Sequence, residues 1–282
     1  MHIVIRLAGG LGNQLFQLAC ANKIANISLC EKKKIKIDIS YLSKYSQKRD
    51  FDANFLLEIF PNLKIGKLSF IEKFFSKLRI ARFIDSEFGN YALISSTNTL
   101  RNLNGKKIKF VFLDGYFQDP YVIFPETERL KIFNFLNVKH QKLINLILKK
   151  QNSVAVHIRR GDYVQSKIFR LIPLDFYHQA INLISSPYNL FIFSDDKEIA
   201  ALLAVKYGGL DCSSLGLSLE EEFSLLASCN HYIIANSTFS WWAAVLGQRN
   251  NGRIIAPSNW YRNQKSNKDN ILLLSNFELI NA

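Results

Sequence analysis

Two arginines, a histidine and an aspartate cluster at the end of one apolar run. Residues 153–158 (Ser-Val-Ala-Val-His-Ile) have the pattern of a buried strand, and Arg159, Arg160 and Asp162 follow directly. Ligands of open α/β sheets bind beyond the carboxyl ends of the strands, so these side chains and His157 lie where a site is expected. Because the planar guanidinium suits phosphate oxygens and stays charged, the cluster predicts an anion site. The alternative is an Arg–Asp ion pair that only closes the strand end.

Two further strand ends in the second half of the sequence carry polar groups. The apolar run 188–194 ends in Asp195 and Asp196, and adjacent carboxylates suit paired N–H donors such as the N1 and N2 edge of guanine. Capping of the next helix by one aspartate is an equal alternative. The predicted strand 231–235 leads into a hydroxyl-rich turn, and the following helix is expected to open at Trp241. Free N–H groups at a helix start form an anion site, and the residues of this turn are Asn236, Ser237, Thr238, Phe239 and Ser240.

A glycine turn lies near the start of the chain, between a predicted strand 2–7 and a predicted helix 13–26. With a second strand at 34–39 this makes a β-α-β unit, which predicts a parallel sheet. The turn lacks the third glycine of a dinucleotide fingerprint, so it supports dinucleotide binding only weakly. Its glycines still allow a ligand to approach the backbone closely.

Four ordered motifs resemble those of the α-1,2-fucosyltransferases of glycosyltransferase family 11. Residues 157–162 match the family's His-x-Arg-Arg-x-Asp signature, and the stretches 9–17, 114–118 and 236–244 agree in order, so that the resemblance spans nearly the whole chain. It implies an α/β fold of the GT-B type, in which two Rossmann-like domains with parallel sheets face a cleft. We expect an acceptor-side domain at 1–150 and a GDP-fucose-binding domain at 151–282, with the tail from Trp260 packing back on the first domain.

The resemblance also implies a reaction: inverting transfer of L-fucose from GDP-β-L-fucose, in α-1,2 linkage, to a terminal β-galactoside of a bacterial surface glycan such as an O-antigen repeat. No cofactor is implied. Carried over by motif, Arg159 contacts the diphosphate, His157 lies near the phosphate or guanine, and Asp196 contacts the guanine. Arg159 and His157 are the expected catalytic residues. The expected substrate-binding residues are Arg160, Asp162 (partly structural), Asp195, Asp196, Asn236, Ser237, Thr238, Phe239, Ser240, Gly10, Gly12, Asn13 and Gln14.

No catalytic base transfers from the resemblance. In α-1,6-fucosyltransferase relatives the proposed base is a glutamate ten residues beyond the signature histidine, and here that place holds Lys167. Asp38, Asp114 and Asn13 all lie on the expected acceptor side, and the sequence does not choose among them.

A metal site is not predicted. Asp50 and Asp52 form an Asp-x-Asp sequence, but Asp52 is better placed to cap a helix predicted at 53–60. Without a metal, departure of the diphosphate has to be stabilised by fixed cations and helix dipoles, for which Arg159 and the 237–240 turn are the candidates.

Composition favours an anionic partner. The 282 residues carry a formal charge of +13, and 48% are hydrophobic, which allows sizeable cores. Nucleic-acid grooves spread basic and aromatic residues along a face, whereas here the polar groups gather at one edge, so we expect no nucleic acid. Two other functions stay open: a transferase using another GDP-sugar, and a non-catalytic polyanion- or membrane-binding protein.

The stretch 64–82 combines phenylalanines at helical spacing with flanking lysines and arginines. Such a helix can lie on an anionic membrane, although a core stripe with a solvated basic face gives the same pattern. No apolar run approaches the ~20 residues that span a bilayer, so a cytoplasmic enzyme is the expectation. Peripheral contact with the inner membrane through 64–82 is the less favoured alternative to a solvated basic face. Four cysteines without metal-ligand spacing (Cys20, Cys30, Cys212 and Cys229) are typical of reduced thiols.

Overall fold

The computed structural model describes residues 1–27, 34–38, 55–56, 63–65, 68–70, 72–74, 86–88, 91–103, 106–148, 152–248 and 252–282. The chain divides into two compact units, Met1–Pro125 and Glu126–Ala282. Among the described residues each unit contains a six-stranded sheet, all parallel except for one strand pair of the first unit. The expected α/β class with two mainly parallel sheets is confirmed.

The first sheet has the strand order β3-β2-β1-β6-β5-β4. Its strands are β1 (His2–Arg6), β2 (Lys34–Asp38), β3 (Leu63–Ile65), β4 (Ser86–Phe88), β5 (Tyr91–Ile94) and β6 (Phe110–Leu113). β4 and β5 pair antiparallel and the other pairs are parallel. Arg6 is in register with Asp38, and Ile5 with Leu113, so the carboxyl ends of β2, β1 and β6 lie side by side.

The second sheet has the order β12-β11-β10-β7-β8-β9 and is parallel throughout. Its strands are β7 (Ser153–Ile158), β8 (Asn189–Ser194), β9 (Leu210–Asp211), β10 (His231–Ile233), β11 (Ile254–Pro257) and β12 (Glu278–Ile280). Every residue of β7 is buried, as expected for a central strand covered on both faces. Because β7 pairs with both β8 and β10, the carboxyl ends of these three strands are neighbours.

The described helices include α1 (Leu11–Ile27), α2 (Thr97–Arg101), α3 (Glu126–Lys139), α4 (Gln141–Leu148), α5 (Leu174–Asn182), α6 (Lys197–Tyr207), α7 (Leu219–Ala227), α8 (Thr238–Gly247) and α9 (Gln264–Lys268), with single 3-10 turns at Pro120–Val122, Gly161–Tyr163 and Cys212–Ser214. Five of the described helices, α2, α6, α7, α8 and α9, begin at a residue whose side chain caps them. Ser218 and Glu221 form a reciprocal capping box at α7. Gly208 ends α6 with φ +65°, in the left-handed region that favours glycine.

Two helices begin earlier than the sequence predicts. α1 begins at Leu11 rather than Asn13, and α8 begins at Thr238 rather than Trp241. At α8 the reason is local, because the Ser237 hydroxyl accepts from the Phe239 N–H and the Trp241 N–H already bonds to the Ser237 carbonyl. Thr238, Phe239 and Ser240 therefore form the first turn of a helix.

The compact units divide before α3, whereas the sequence places the domain boundary after α4. Both helices belong to the second unit. There the Asn137 side chain accepts from the Ser228 hydroxyl at 2.9 Å, and Lys139 pairs with Glu220 at 2.9 Å. The tail from Trp260 belongs to the second unit, where β12 pairs with β11 and the Trp241 indole donates to the Leu272 carbonyl at 2.8 Å. Its packing on the first domain stays a prediction.

Three of the four cysteines, Cys20, Cys212 and Cys229, are free and buried. Burial raises the pKa of each thiol, that of Cys212 to about 12, so they stay protonated. Cys30, Asp50, Asp52 and most of the 64–82 stretch lie outside the described residues. None of the described helices is long and apolar enough to cross a bilayer.

Candidate functional site

The polar residues predicted at three strand ends of the second unit lie at one edge of its sheet. Arg159 and Arg160 follow β7, Asp195 and Asp196 follow β8, and the 236–240 turn comes after β10. Since these strands are adjacent and parallel, their carboxyl ends deliver the three groups to the same place.

Arg159 lies between two carboxylates. Its Nη2 donates to Asp162 Oδ1 at 2.6 Å, and its Nη1 lies 2.9 Å from Asp195 Oδ2. The side chain remains 29% exposed. A guanidinium carries five N–H donors, so the two carboxylates leave donors that an incoming anion can use.

Arg160 has a different partner from the one expected. The alternation of side chains along a strand predicts a pair with Asp162, but Arg160 Nε donates to Asp196 Oδ2 at 3.0 Å, and its backbone N–H donates to Asp195 Oδ1 at 2.7 Å. The prediction is wrong because β7 ends at Ile158 and the chain turns at Arg160, where φ is −126° and ψ is −62°. A glycine at 161 permits the close approach, since a Cβ there would lie 2.5 Å from Asp195 Oδ2.

His157 is buried, and its ring lies 5.6 Å from that of Phe239 in the first turn of α8. Burial, together with the nearby Arg159 charge, lowers the pKa of His157 to about 3. The imidazole is therefore neutral at physiological pH. A neutral ring can donate and accept hydrogen bonds, and its Nδ1 has no hydrogen-bond partner among the described residues.

Asp196 caps α6, which is one of the two functions its position allowed. Its Oδ1 accepts from the Ile199 N–H at 3.2 Å while Oδ2 accepts from Arg160. Asp195 instead contacts the Arg160 N–H through Oδ1 and the Arg159 guanidinium through Oδ2. The two carboxylates thus order the arginines, and contact with guanine stays a prediction for each.

The 236–240 turn is stabilised by hydrogen bonds that its own side chains form. Asn236 is buried, and its amide donates to the carbonyls of Arg170 (2.8 Å) and Trp260 (2.7 Å). The hydroxyl of Ser237 is the α8 cap, and the hydroxyl of the buried Ser240 donates to the Ser237 carbonyl. These groups shape the helix start, so a bound anion would be met mainly by backbone N–H groups.

The first unit has its own polar cluster at the carboxyl ends of β1 and β6. The buried side chain of Gln17 accepts from the Ala8 N–H and donates to the Gly115 carbonyl, tying together the loops that follow the two strands. Gln14 is also buried and donates to the Gly9 carbonyl. The Asn13 side chain accepts from Gln118 at 2.7 Å.

The candidate bases of the first unit are surrounded differently. Asp114 forms a buried ion pair with Arg6 at 3.1 Å. Asp38 is buried next to Arg6 in the strand register. Asn13 has no ionisable group. Gly10 and Gly12, predicted with them, form the turn and first helical residues, where the Gly10 carbonyl accepts from the N–H groups of Asn13 and Gln14.

A family model described as Glycosyl transferase family 11 matches residues 2–278. This chain belongs to glycosyltransferase family 11. The family 11 glycosyltransferase is 30% identical over 293 residues to an Alpha-1,2-colitosyltransferase of Escherichia coli, with 94% of each chain covered. It is 28% identical over 298 residues to the O-antigen biosynthesis glycosyltransferase WbnK of Escherichia coli, with 93% of this chain and 96% of the relative covered.

The fold of the family 11 glycosyltransferase also resembles a solved structure, that of E. coli ADP-heptose lps heptosyltransferase II. The TM-score is 0.50 at 13% identity, with 99% of this chain and 90% of that chain covered. At this identity the likeness concerns the fold alone, and the expected GT-B class is confirmed.

One acidic residue near the arginines is absent from the sequence prediction. Glu222 lies on α7, and burial together with the Asp195 charge raises the pKa of Glu222 to about 7, with Arg159 opposing. Three consecutive glutamates at a helix start read as capping residues. The capping box is the signal that could have distinguished Glu222 from the other two glutamates. Glu221 bonds back to Ser218 in that box, whereas Glu222 precedes the buried Phe223.

Among the described residues of the glycosyltransferase no group of three or more histidine, cysteine or acidic side chains could hold a metal ion. Binding of an anion by Arg159 and the start of α8 stays a prediction.

Proposed function

We propose that this protein is an inverting fucosyltransferase, which transfers L-fucose from GDP-β-L-fucose in α-1,2 linkage to a terminal β-galactoside of a bacterial surface glycan. Membership of glycosyltransferase family 11 supports the reaction class. The names of the relatives, an α-1,2-colitosyltransferase and an O-antigen biosynthesis glycosyltransferase, support the linkage and the glycan. One observation carries the proposal: Arg159 follows β7, the capped start of α8 follows β10, and these two strands are adjacent and parallel.

In this reaction the 2-hydroxyl oxygen of galactose forms a bond to the anomeric carbon of fucose while the bond to GDP breaks. The electron pair of the broken bond leaves with the diphosphate oxygen. Arg159 and the N–H groups of α8 stabilise the growing negative charge, as preorganised donors do in other transferases. The hydroxyl proton passes to a base, for which Asp38 and Asp114 are the titratable candidates in the first unit.

The nucleoside end of the donor requires hydrogen-bonding groups rather than charge. The neutral imidazole of His157 and the carboxylates of Asp195 and Asp196 supply acceptors at the same sheet edge. Glu222 adds a carboxyl group close to Asp195 and Arg159. Carboxylate oxygens match the paired N–H donors of guanine, which supports a guanine nucleotide as the donor.

A second donor is favoured by one finding, the 30% identity to an α-1,2-colitosyltransferase over 94% of both chains. Colitose differs from fucose by the absence of one hydroxyl group. A site built to hydrogen-bond that hydroxyl discriminates strongly against the deoxy sugar, whereas an apolar pocket discriminates weakly. The alternative is therefore a transferase that uses another GDP-sugar.

The deciding experiment incubates the purified chain with GDP-fucose, GDP-colitose or GDP-mannose and a panel of β-galactosides. The product linkage and anomeric configuration are determined by NMR. We expect GDP-fucose to be consumed fastest and an α-1,2-fucosyl product to form. Faster consumption of another GDP-sugar would assign the donor differently, and binding of polyanions without consumption of any donor would support a non-catalytic protein.

We also propose peripheral contact with an anionic membrane through the 64–82 stretch. Phe70 and Phe74 lie four residues apart and are 86% and 51% exposed, with Lys73 exposed between them. Glu72 is buried instead and pairs with Lys36 at 3.0 Å. Exposed aromatics beside lysine, on a chain of charge +13, match the interfacial helices that bind anionic lipid. A lipid-linked acceptor would be reached this way.

A further inference from the structure

Tyr163 contacts both halves of the candidate anion site. The Arg159 guanidinium lies over the Tyr163 ring in a cation–π contact, with its Cζ 5.5 Å from the ring centroid. Its hydroxyl donates to the Asn236 carbonyl at 3.1 Å, one residue before the Ser237 cap of α8. We propose that Tyr163 is the positioning residue that keeps Arg159 aligned beside the α8 start while a diphosphate is bound. This inference rests on the proposed function.

The orientation of the Tyr163 ring is fixed by an aromatic column. Phe169 stacks on Tyr163 with centroids 4.8 Å apart and ring planes within 8°, and Tyr261 follows Phe169 at 5.7 Å. Backbone bonds hold the column, since Phe169 and Tyr261 form an antiparallel bridge and the Arg170 N–H donates to the Trp260 carbonyl. Tyr163 itself is only 9% exposed. The ring is therefore a rigid support for the guanidinium.

The ring contact has a property that the carboxylate contacts lack. Asp162 and Asp195 hold Arg159 through its N–H donors, which are the groups that a diphosphate also needs. A bound diphosphate uses further donors of the same guanidinium and pulls it away from the two carboxylates. The aromatic face attracts the cation through the ring quadrupole and occupies no N–H donor. Tyr163 therefore holds Arg159 without using any donor that the anion needs.

A double-mutant cycle on GDP binding tests this role. GDP affinity is measured by titration calorimetry for the wild type, Tyr163→Leu, Arg159→Gln and the double variant. We expect Tyr163→Leu to weaken GDP binding by about tenfold, and by less than about twofold when Arg159 is already Gln, because no cation is left for the ring to hold. Equal losses in both backgrounds would overturn the proposal.

A shape-matched pair keeps the test valid if Tyr163→Leu does not fold. Tyr163→Phe is compared with 3,4,5-trifluorophenylalanine at the same position, which has nearly the same shape but a weaker negative ring face. We expect the fluorinated ring to bind GDP several-fold more weakly than phenylalanine, at an unchanged melting temperature. Equal GDP affinities would show that the ring acts only through packing.

Tyr261→Leu is the matched control, because it removes a ring of the same column that contacts Phe169. It is expected to lower the melting temperature and to weaken GDP binding much less than Tyr163→Leu, because Phe169 still stacks on Tyr163; a loss equal to that of Tyr163→Leu would contradict a specific role for Tyr163. Failure of the wild type to bind GDP would count against the proposed function. Binding by the wild type without coupling between Tyr163 and Arg159 would count against this inference alone.

Discussion

Arg159 and Arg160 are adjacent in sequence but hold different partners. Arg159 uses its two terminal nitrogens, whereas Arg160 uses Nε on the carboxylate that caps α6. Lysine at 159 keeps the charge but loses the planar fork. We expect Arg159→Lys to lower kcat by about 10²–10³, the cost of losing one transition-state donor, with an unchanged melting temperature. Initial rates with GDP-fucose and thermal unfolding curves measure both.

Arg160→Lys is the matched control for that substitution. Since Arg160 supports the α6 cap and the turn at 161, its loss should lower the melting temperature by a few degrees, as expected for about 1 kcal/mol, and reduce kcat much less than Arg159→Lys. Equal losses of kcat in two well-folded variants would show that both guanidiniums contact the diphosphate.

His157 makes the second unit sensitive to acid. Because the pKa of His157 is about 3 when folded and 6.5 in the reference state, the unfolded chain binds more protons between these values. The free energy of unfolding is therefore not reduced by His157 above pH 6.5, and it falls as the pH is lowered from 6.5 towards 3. Relative to His157→Asn, we expect the wild type to lose about 2 kcal/mol of unfolding free energy between pH 8 and pH 5. All three tryptophans lie at 241, 242 and 260, so their fluorescence in urea titrations reports this unit.

Glu222 provides a control, because its effect on the free energy of unfolding changes with pH in the direction opposite to that of His157. Its pKa is raised to about 7, so the stabilisation of its protonated form is complete below pH 4.5 and is lost as the pH rises through 7. Relative to Glu222→Gln, the wild type should therefore weaken towards pH 8. A His157→Asn difference that did not change with pH would show that His157 is not buried as a neutral imidazole.

At the level of elements, the apolar runs predicted the site strands well. The run before Arg159 is β7 and the run before Asp195 is β8, because continuous apolar sequence is what a doubly covered parallel strand requires. What failed was side-chain direction beyond the strand. The alternation argument needs extended backbone up to Arg160, and the chain turns there. Partners such as Asp195 come from a distant strand end, so local spacing could not reveal them.

The described part of the 64–82 stretch makes the membrane proposal testable. Lys73→Glu combined with Phe70→Ser should weaken binding to vesicles that contain phosphatidylglycerol while turnover of a soluble galactoside is retained, because both exposed groups favour the anionic interface. Vesicle sedimentation measures the binding. Lys265→Glu, at an exposed position of α9, makes the same charge change elsewhere. Equal loss in both variants would mean that net charge alone attracts the protein to lipid.

For the whole molecule, the order of the four motifs predicted the family. The composition was compatible with that family but also with other anion-binding proteins. The GT-B class followed from the resemblance, since β-α-β patterning by itself is shared by many parallel-sheet folds. The division before α3 was not predictable. Lysine-rich amphipathic helices between two sheets can pack on either, and hydrogen bonds such as that between Ser228 and Asn137 join α3 to the second unit.

The proposed stabilisation of the departing diphosphate by protein cations has a consequence for the enzyme in solution. We expect transfer from GDP-fucose to be largely unchanged by EDTA, because Arg159 and the α8 start supply the positive charge that a metal would. Radiolabel transfer with and without chelator measures this. Activity that is abolished by EDTA and restored by Mn²⁺ would contradict it and would make Asp50 and Asp52 candidate ligands.

The Asn236 amide joins three loops through two donated hydrogen bonds, and that arrangement bears on how the protein ages. Asparagine is among the thermolabile residues, since its amide hydrolyses slowly to a carboxylate. At this position the new oxygen would face the carbonyls of Arg170 and Trp260, and two attractive contacts would become repulsive. In a stored preparation, the acidic isoform deamidated at Asn236 should be the one that has lost its affinity for nucleotide.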